Sequence, residues 1–229
     1  GKFGFEFTVG LSTRPDNFIG EIEVWDKAEK ELTDVLNESE LKWNIKEKDG
    51  AFYGPKIDIH LTDSLGRQHQ CATIQLDFQL PSDKCFKLEY LDEKGELIRP
   101  VMIHRAIYGS FERFIAILCE HYNGKWPFWL NPKQIKVIPI SEKHLDYANF
   151  VAEALRKGKC YVDVDITDNR IAKKISNAQL EFYNYMLVVG DKEANNNTVN
   201  VRYRDNDVKK LFTIDELIKE LDQNVADFK

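Results

Sequence analysis

An α+β domain followed by an α/β domain is what this sequence predicts, and three observations carry the prediction. Residues 68–80 alternate as a half-buried strand within a run of such strands. After residue 135, strand-like runs alternate with amphipathic helical ones. Between the two patterns lies Gly124-Lys-Trp-Pro-Phe-Trp-Leu-Asn-Pro132, a short stretch rich in proline and rigid aromatics. The expected division is 1–130 and 131–229.

The elements follow in order. Phe3–Val9 alternates like a strand, so the sequence reads as one entered mid-domain. Ile22, Trp25, Ala28 and Leu32 have helical spacing and predict a helix over 20–37. A short strand is expected at 41–46. Gly50, Gly54 and Pro55 punctuate a loop, and Ile57, Ile59 and Leu61 then alternate with polar residues. Ala72, Ile74, Leu76, Phe78 and Leu80 form one face of 68–80, with Cys71, Thr73, Gln75, Asp77 and Gln79 on the other. Strands near 86–90 and 100–103 precede a helix from about 105 to 122, with Phe111, Phe114, Ile115 and Leu118 as its buried stripe. These elements imply an antiparallel sheet backed by helices.

In the second part, strands are predicted at 135–140, 161–166, 185–189 and 199–204. Helices are predicted after the N-cap Ser141, over 170–181, and from Ile214 to about Asn224. Thr213 and Glu216 form a capping box for the last. Asn195-Asn196-Asn197 reads as a hairpin turn. This alternation implies a largely parallel sheet.

Composition excludes several classes. The hydrophobic content of 43% and aromatic content of 12% are ordinary for a packed protein and exclude disorder. With 32 Lys+Arg against 38 Asp+Glu, the net charge of −6 argues against indiscriminate nucleic-acid binding and leaves room for a local basic patch. The four cysteines are scattered, with no CxxC pair, so no self-contained zinc site is visible. They read as reduced thiols of a cytosolic protein. No stretch approaches the ~18 apolar residues of a membrane helix, and no signal-peptide core is present.

Several short segments suggest chemistry. Lys56, at the mouth of a strand after Tyr53 and Gly54, suits a phosphate or carboxylate. The row Thr73, Gln75, Asp77 contains no Lys or Glu, which fits a ligand-reading surface better than a solvated one. Gly109, Ser110 and Arg113 follow an apolar run that ends at His104. Glycine permits close backbone approach, a helix start favours anions, and a guanidinium forks onto phosphate oxygens.

Taken together, Thr13-Arg-Pro15, Gly50-Ala-Phe-Tyr-Gly-Pro-Lys-Ile57, Gln70-Cys-Ala-Thr-Ile-Gln-Leu-Asp-Phe78 and Val101-Met-Ile-His-Arg-Ala-Ile-Tyr-Gly-Ser-Phe-Glu-Arg-Phe114 resemble the threonyl-tRNA synthetase family in order and spacing. Asn177-Ala-Gln-Leu180 and Val188-Val-Gly-Asp-Lys-Glu193 resemble its anticodon-binding domain. The likeness is greater to eukaryotic cytoplasmic members than to bacterial ones.

The resemblance implies the class II synthetase antiparallel sheet, then the anticodon-binding domain. It implies activation of L-threonine by ATP with Mg2+, then transfer to tRNA-Thr. Gly109, Ser110 and Arg113 match the family's motif 3, in which the arginine holds the ATP γ-phosphate. Gln70 and Thr73 match ATP-contacting positions. Tyr53, Lys56 and Gln75 match the threonine and adenylate pocket, and Arg113 and Lys56 are the expected catalytic pair. His104 matches one of three zinc ligands. A zinc ion distinguishes threonine from nearly isosteric valine, which an apolar pocket rejects only weakly. Arg170, Glu193 and Arg202 match anticodon-reading positions. Asp168 and Phe182 stand where bacterial members often carry asparagine and arginine.

Gln70 falls on the alternation face opposite Thr73 and Gln75. Either the strand bulges near Cys71 or Gln70 is not a side-chain contact. The family's motifs 1 and 2, its other two zinc ligands, its editing domain and its usual dimer interface have no counterpart here. The expectation is therefore a catalytic fragment that is inactive alone, from a parent that forms a homodimer. Alternatives are a synthetase-derived RNA-binding module, or a prolyl- or histidyl-tRNA synthetase. His104 and Cys71-Ala-Thr-Ile-Gln75 argue against the latter two.

Overall fold

The computed structural model describes residues 2–229. The chain divides after His121 into two units.

The first unit contains β1 (Phe7–Ser12), α1 (Ile22–Glu38), β2 (Trp43–Lys46), β3 (Lys56–Thr62), β4 (Gln68–Asp77) and β7 (Met102–Ala106). A small hairpin of β5 (Tyr90–Leu91) and β6 (Leu97–Ile98) precedes β7, and α2 (Phe111–Tyr122) follows it. The main sheet has the order β2-β1-β3-β4-β7 and is antiparallel except for the β1–β2 pair. Its apolar face carries Val9, Leu11, Ile57, Ile74 and Leu76, and packs against Leu32 and Leu36 of α1. Period-2 alternation therefore leaves the opposite face polar and uncovered by α1.

One irregularity determines which residues share that polar face. Ile59 pairs with Ala72, but His60 pairs with Gln70, so Cys71 is an extra residue in β4. This bulge returns Gln70 to the side of Thr73 and Gln75. Of the two possibilities left open by the sequence, the bulge is the one observed. Cys71 itself is 4% exposed and leaves the polar row.

Some expectations are corrected. The helix expected from about 105 begins at Phe111, because β7 runs on to Ala106 and Gly109 has a φ of +65°. Its buried residues are Phe114, Ile117 and Leu118, whereas Phe111 and Ile115 are exposed. The strand expected near 86–90 is mostly irregular, with Lys87 at positive φ.

The second unit contains β8 (Ile135–Pro139), α3 (Leu145–Lys157), β9 (Val162–Val164), α4 (Ile171–Leu180), β10 (Tyr185–Val189), α5 (Asp191–Asn196), β11 (Thr198–Tyr203), β12 (Lys209–Thr213) and α6 (Ile214–Ala226). Its sheet has the order β12-β11-β10-β8-β9. The β10-β8-β9 part is parallel and the β10-β11-β12 part antiparallel, so the sheet is mixed rather than largely parallel. One face buries Val137, Leu187, Val199 and Val201 against Ala148, Val151, Leu155, Leu217 and Leu221. The other buries Ile138 and Met186 against Ala178 and Tyr183. The expected hairpin turn at 195–197 is instead the end of α5, closed by Asn197 in the left-handed conformation. Thr213 Oγ1 accepts from Glu216 N–H, and the Glu216 carboxylate accepts from Thr213 N–H, so the capping box forms.

The β3–β4 turn is closed by Asp63, whose side chain is fully buried. Its carboxylate accepts from the Leu65 and Arg67 backbone N–H groups, from Arg67 Nε at 2.6 Å and from His69 Nε2 at 2.9 Å. Burial opposes its charge, but these donors outweigh burial and hold its pKa well below the usual carboxylate range. A depressed folded pKa contributes stability above the unfolded value, about 3.9, and loses it as pH falls toward the folded one. Asp63→Asn is therefore expected to lower Tm at pH 7, with a gap from the native chain that narrows steadily below pH ~4. Thermal melts followed by circular dichroism across that range check this, and a gap independent of pH contradicts it.

Candidate functional site

Register aligns the polar residues of the first sheet into transverse rows. Ser12, Lys56, Gln75 and His104 are successive neighbours across β1, β3, β4 and β7. Gly10, Asp58, Thr73 and Ala106 form the next row, and His60 faces Gln70 beyond it. Neighbours in such rows are roughly 5 Å apart. Lys56, Gln70, Thr73, Gln75 and His104 are thus brought onto one surface.

Tyr53 reaches this surface from the loop before β3. Its hydroxyl donates to Gln75 Oε1 at 2.9 Å, and its ring meets the His104 ring edge-on at 6.0 Å. The loop stays close because Gly54 has no side chain: a Cβ there would lie 1.9 Å from Leu76 O. Burial, with the nearby Asp77 charge, raises the Tyr53 pKa and keeps it a donor.

His104 lies in the middle of β7, with Nε2 2.8 Å from Asp77 Oδ2. Asp77 Oδ1 accepts from the Gln79 and Leu80 N–H groups. Burial opposes the Asp77 charge, but the bonds from His104, Leu80 and Gln79 lower its pKa overall. Tyr53, His104 and Asp77 line a cavity of about 580 Å³ with Ile19, Phe52 and Leu80. Apolar walls with a few converging polar groups suit a small amphipathic ligand.

At the other end, Gly109 packs on the bulge: a Cβ would lie 3.2 Å from Cys71 O. Ser110 Oγ accepts from Arg113 N–H at 3.2 Å and serves the start of α2. Arg113 is exposed, and its guanidinium has no hydrogen-bond or ion-pair partner among the described residues. Its charge acts on Cys71, although burial dominates there and raises the thiol pKa.

In the second unit, the parallel strands end at a shared edge. Ser141 follows β8, Asp165 to Arg170 follow β9, and Gly190 follows β10. β8 lies between β9 and β10: the chain passes from β8 to β9 on one side and then crosses back to β10 on the other, a reversal that in open α/β sheets makes a ligand crevice. Ser141, Asp165, Thr167, Arg170 and Lys174 line a cavity of about 490 Å³ there. Buried Lys174 donates to Pro139 O at 3.3 Å and lies 3.9 Å from Asp165. The three residues expected to read an anticodon are not gathered in this cavity. Arg170 lines it. The Glu193 carboxylate accepts from Gly190 N–H at 2.9 Å. Arg202 lines a separate depression with Gln179, Asp207 and Lys209.

Two family models match the chain. The tRNA synthetase class II core domain (G, H, P, S and T) covers residues 6–122, and an anticodon binding domain covers residues 134–224. A probable cytoplasmic threonine–tRNA ligase 1 of Dictyostelium discoideum is 55% identical over 100% of this chain and 32% of its own length. The cytoplasmic threonine–tRNA ligase 1 of Homo sapiens is 53% identical over 96% of this chain and 31% of its own. The chain belongs to the class II tRNA synthetases. The crystal structure of the RNA-binding domain of threonyl-tRNA synthetase from Cryptosporidium parvum Iowa II superposes with a TM-score of 0.91 at 46% identity, over 97% of this chain and 56% of that one. The chain spans about a third of the length of these curated threonine–tRNA ligases.

The resemblance to threonyl-tRNA synthetases implies a zinc ion held by three side chains. The described residues contain no group of three His, Cys, Asp or Glu side chains placed for a metal ion. His104 offers one ring nitrogen, the one turned away from Asp77. One donor does not make a closed site, so these residues do not by themselves fit zinc.

Sequence reasoning left Ser12, Asp58 and Lys174 without roles. Alternation placed Asp58 beside Lys56, but its burial at 0% exposure is visible only in three dimensions. Gly54→Ala is expected to cost about 3 kcal/mol or more, since backbone rather than a movable side chain blocks the added methyl. Urea denaturation of the chain measures this, and a loss below about 1 kcal/mol contradicts the close approach.

Proposed function

We propose that this chain is the carboxy-terminal part of a threonine–tRNA ligase, which activates L-threonine with ATP and transfers it to tRNA-Thr. The observation that carries this reading is the transverse row Lys56, Gln75, His104, with Tyr53 bonded to Gln75 and with Arg113, unpaired among the described residues, near the Cys71 bulge of the same sheet.

In the activation step a threonine carboxylate oxygen bonds to the α-phosphorus of ATP, and pyrophosphate leaves. Arg113 forks onto the γ-phosphate and holds the leaving group. Lys56 sets a positive charge beside the forming mixed anhydride. Gln70, Thr73 and the Gly109–Ser110 backbone line the nucleotide side, while Tyr53 and Gln75 orient the amino acid. Mg2+ neutralises phosphate charge when bound. His104 would hold zinc only together with ligands from elsewhere in the enzyme. In the transfer step a ribose hydroxyl at the tRNA 3′ end attacks the threonyl carbonyl carbon, and AMP leaves.

The second unit presents Arg170, Glu193 and Arg202 to the anticodon, a mixture suited to base edges rather than to phosphate alone. Glu193 also holds the start of α5, where its carboxylate accepts from Gly190 N–H. Residues 1–130 and 131–229 act as the catalytic and anticodon-binding parts, in a cytoplasmic homodimer of the parent. No helix among the described residues is long and apolar enough to cross a membrane.

The isolated chain is expected to show no threonine-dependent ATP–pyrophosphate exchange and no stoichiometric zinc by elemental analysis. The full-length parent is expected to catalyse the exchange, and Arg113→Ala to lower its kcat roughly 10²-fold. Exchange by the isolated chain overturns the incomplete-site reading. A full-length protein that exchanges with another amino acid overturns the ligase assignment.

A further inference from the structure

Asp58 is the most enclosed carboxylate of the polar face, at 0% exposure. Its Oδ2 accepts from Ser12 Oγ at 3.0 Å and pairs with Lys56 Nζ. Its Oδ1 accepts from Gln70 Nε2 at 2.5 Å. Ser12, also fully buried, reaches Asp49 Oδ2 at 3.1 Å, and that same oxygen lies 3.8 Å from Lys56 Nζ. One carboxylate thus ties together side chains from β1, β3 and β4.

Stability alone is a poor explanation for such a group. A buried ion pair is often no more stabilising than well-packed apolar side chains of the same volume. Its distinctive effect is orientation. A carboxylate only accepts hydrogen bonds, so Gln70 must turn its NH₂ toward Asp58 and its carbonyl oxygen away. Lys56, with a side chain only 11% exposed, is likewise held at one place instead of sampling its rotamers.

We infer that Asp58 is a positioning residue. It fixes the Lys56 cation and aims the Gln70 carbonyl outward, so that this surface offers one cation and one acceptor in fixed register. The acceptor suits a donor group on a nucleotide, a ribose hydroxyl or an exocyclic amine. The inference rests on the proposed reading of Lys56 and Gln70 as site residues, and its test separates the two.

The test is trace labelling of lysine amines by acetic anhydride in this chain, read by peptide mass spectrometry. Asp58→Asn is expected to speed labelling of Lys56 about tenfold, as loss of a charged hydrogen bond implies. Ser12→Ala removes one neutral donor from Asp58 and is expected to speed it about threefold. Lys136 and Lys192, in the other unit, should change less than twofold in both. Unchanged Lys56 labelling in either folded variant overturns the inference, and Ser12→Ala serves alone should Asp58→Asn not fold. In the full-length parent, Asp58→Asn should cost less in ATP–pyrophosphate exchange on a Lys56→Ala background than in the native protein, and least on a Lys56→Ala, Gln70→Leu background. Full additivity with Lys56→Ala assigns Asp58 a merely structural part and overturns the inference. A native parent without threonine-dependent exchange, alongside fast Lys56 labelling in Asp58→Asn, defeats the functional reading and leaves the tether standing.

Discussion

The extra residue Cys71 in β4 sets the composition of the polar face. Strict alternation would send Gln70 to the side of Ala72 and Ile74, which faces α1. With Cys71 inserted, Gln70 stands opposite His60 and within reach of Asp58. The same bulge carries Gly109, which sits against the Cys71 carbonyl where only a hydrogen fits comfortably. The turn leading to Ser110 and Arg113 is therefore seated on the residue that brings Gln70 into line. Cys71 is buried, and its thiol is pushed up by that burial. It acts as a packed apolar side chain.

Two buried carboxylates organise the surface from beneath. Asp58 takes Ser12, Lys56 and Gln70, while Asp77 takes His104 and two backbone N–H groups. Each consumes donors that would otherwise compete for a ligand, and each fixes the orientation of the side chain it engages. Burial makes both expensive in isolation, so full satisfaction by donors is a condition of their being there. The second unit repeats the device at its carboxyl edge, where buried Asp165 and Lys174 lie below Thr167 and Arg170.

Much of this was legible in the sequence. The strand at 185–189, the Thr213–Glu216 box and the α1 stripe of Trp25, Ala28 and Leu32 follow from local rules and appear as expected. The failures have physical causes. Ile103, Ile107, Phe111 and Ile115 are exposed although apolar, so they counterfeit a helical stripe that starts too early. β12 mixes lysines with Leu211 and Phe212 at a sheet edge and lacks a clean period. A one-residue bulge leaves no periodic mark beyond an awkward residue, and Gln70 was that mark. Alternation assigns Asp58 only to the polar side of its strand, and its burial depends on Ser12, 46 residues away.

The two cations of the proposed site, Lys56 and Arg113, are prepared in opposite ways, and this bears on how that site would work. Lys56 is largely enclosed and tied to Asp58 before any ligand arrives, so little rotamer entropy remains for binding to remove. Arg113 is exposed and unpaired among the described residues, so its full side-chain ordering cost, about 2 kcal/mol, falls on the ligand it meets. A charge that must act on a bond being made gains from fixed placement, because misplacement lowers transition-state stabilisation directly. A charge that captures a terminal phosphate gains from reach and from a fork that closes on its oxygens. The tether on Lys56 and the freedom of Arg113 thus fit the division of labour proposed for them, between holding the reacting centre and gripping the group that leaves.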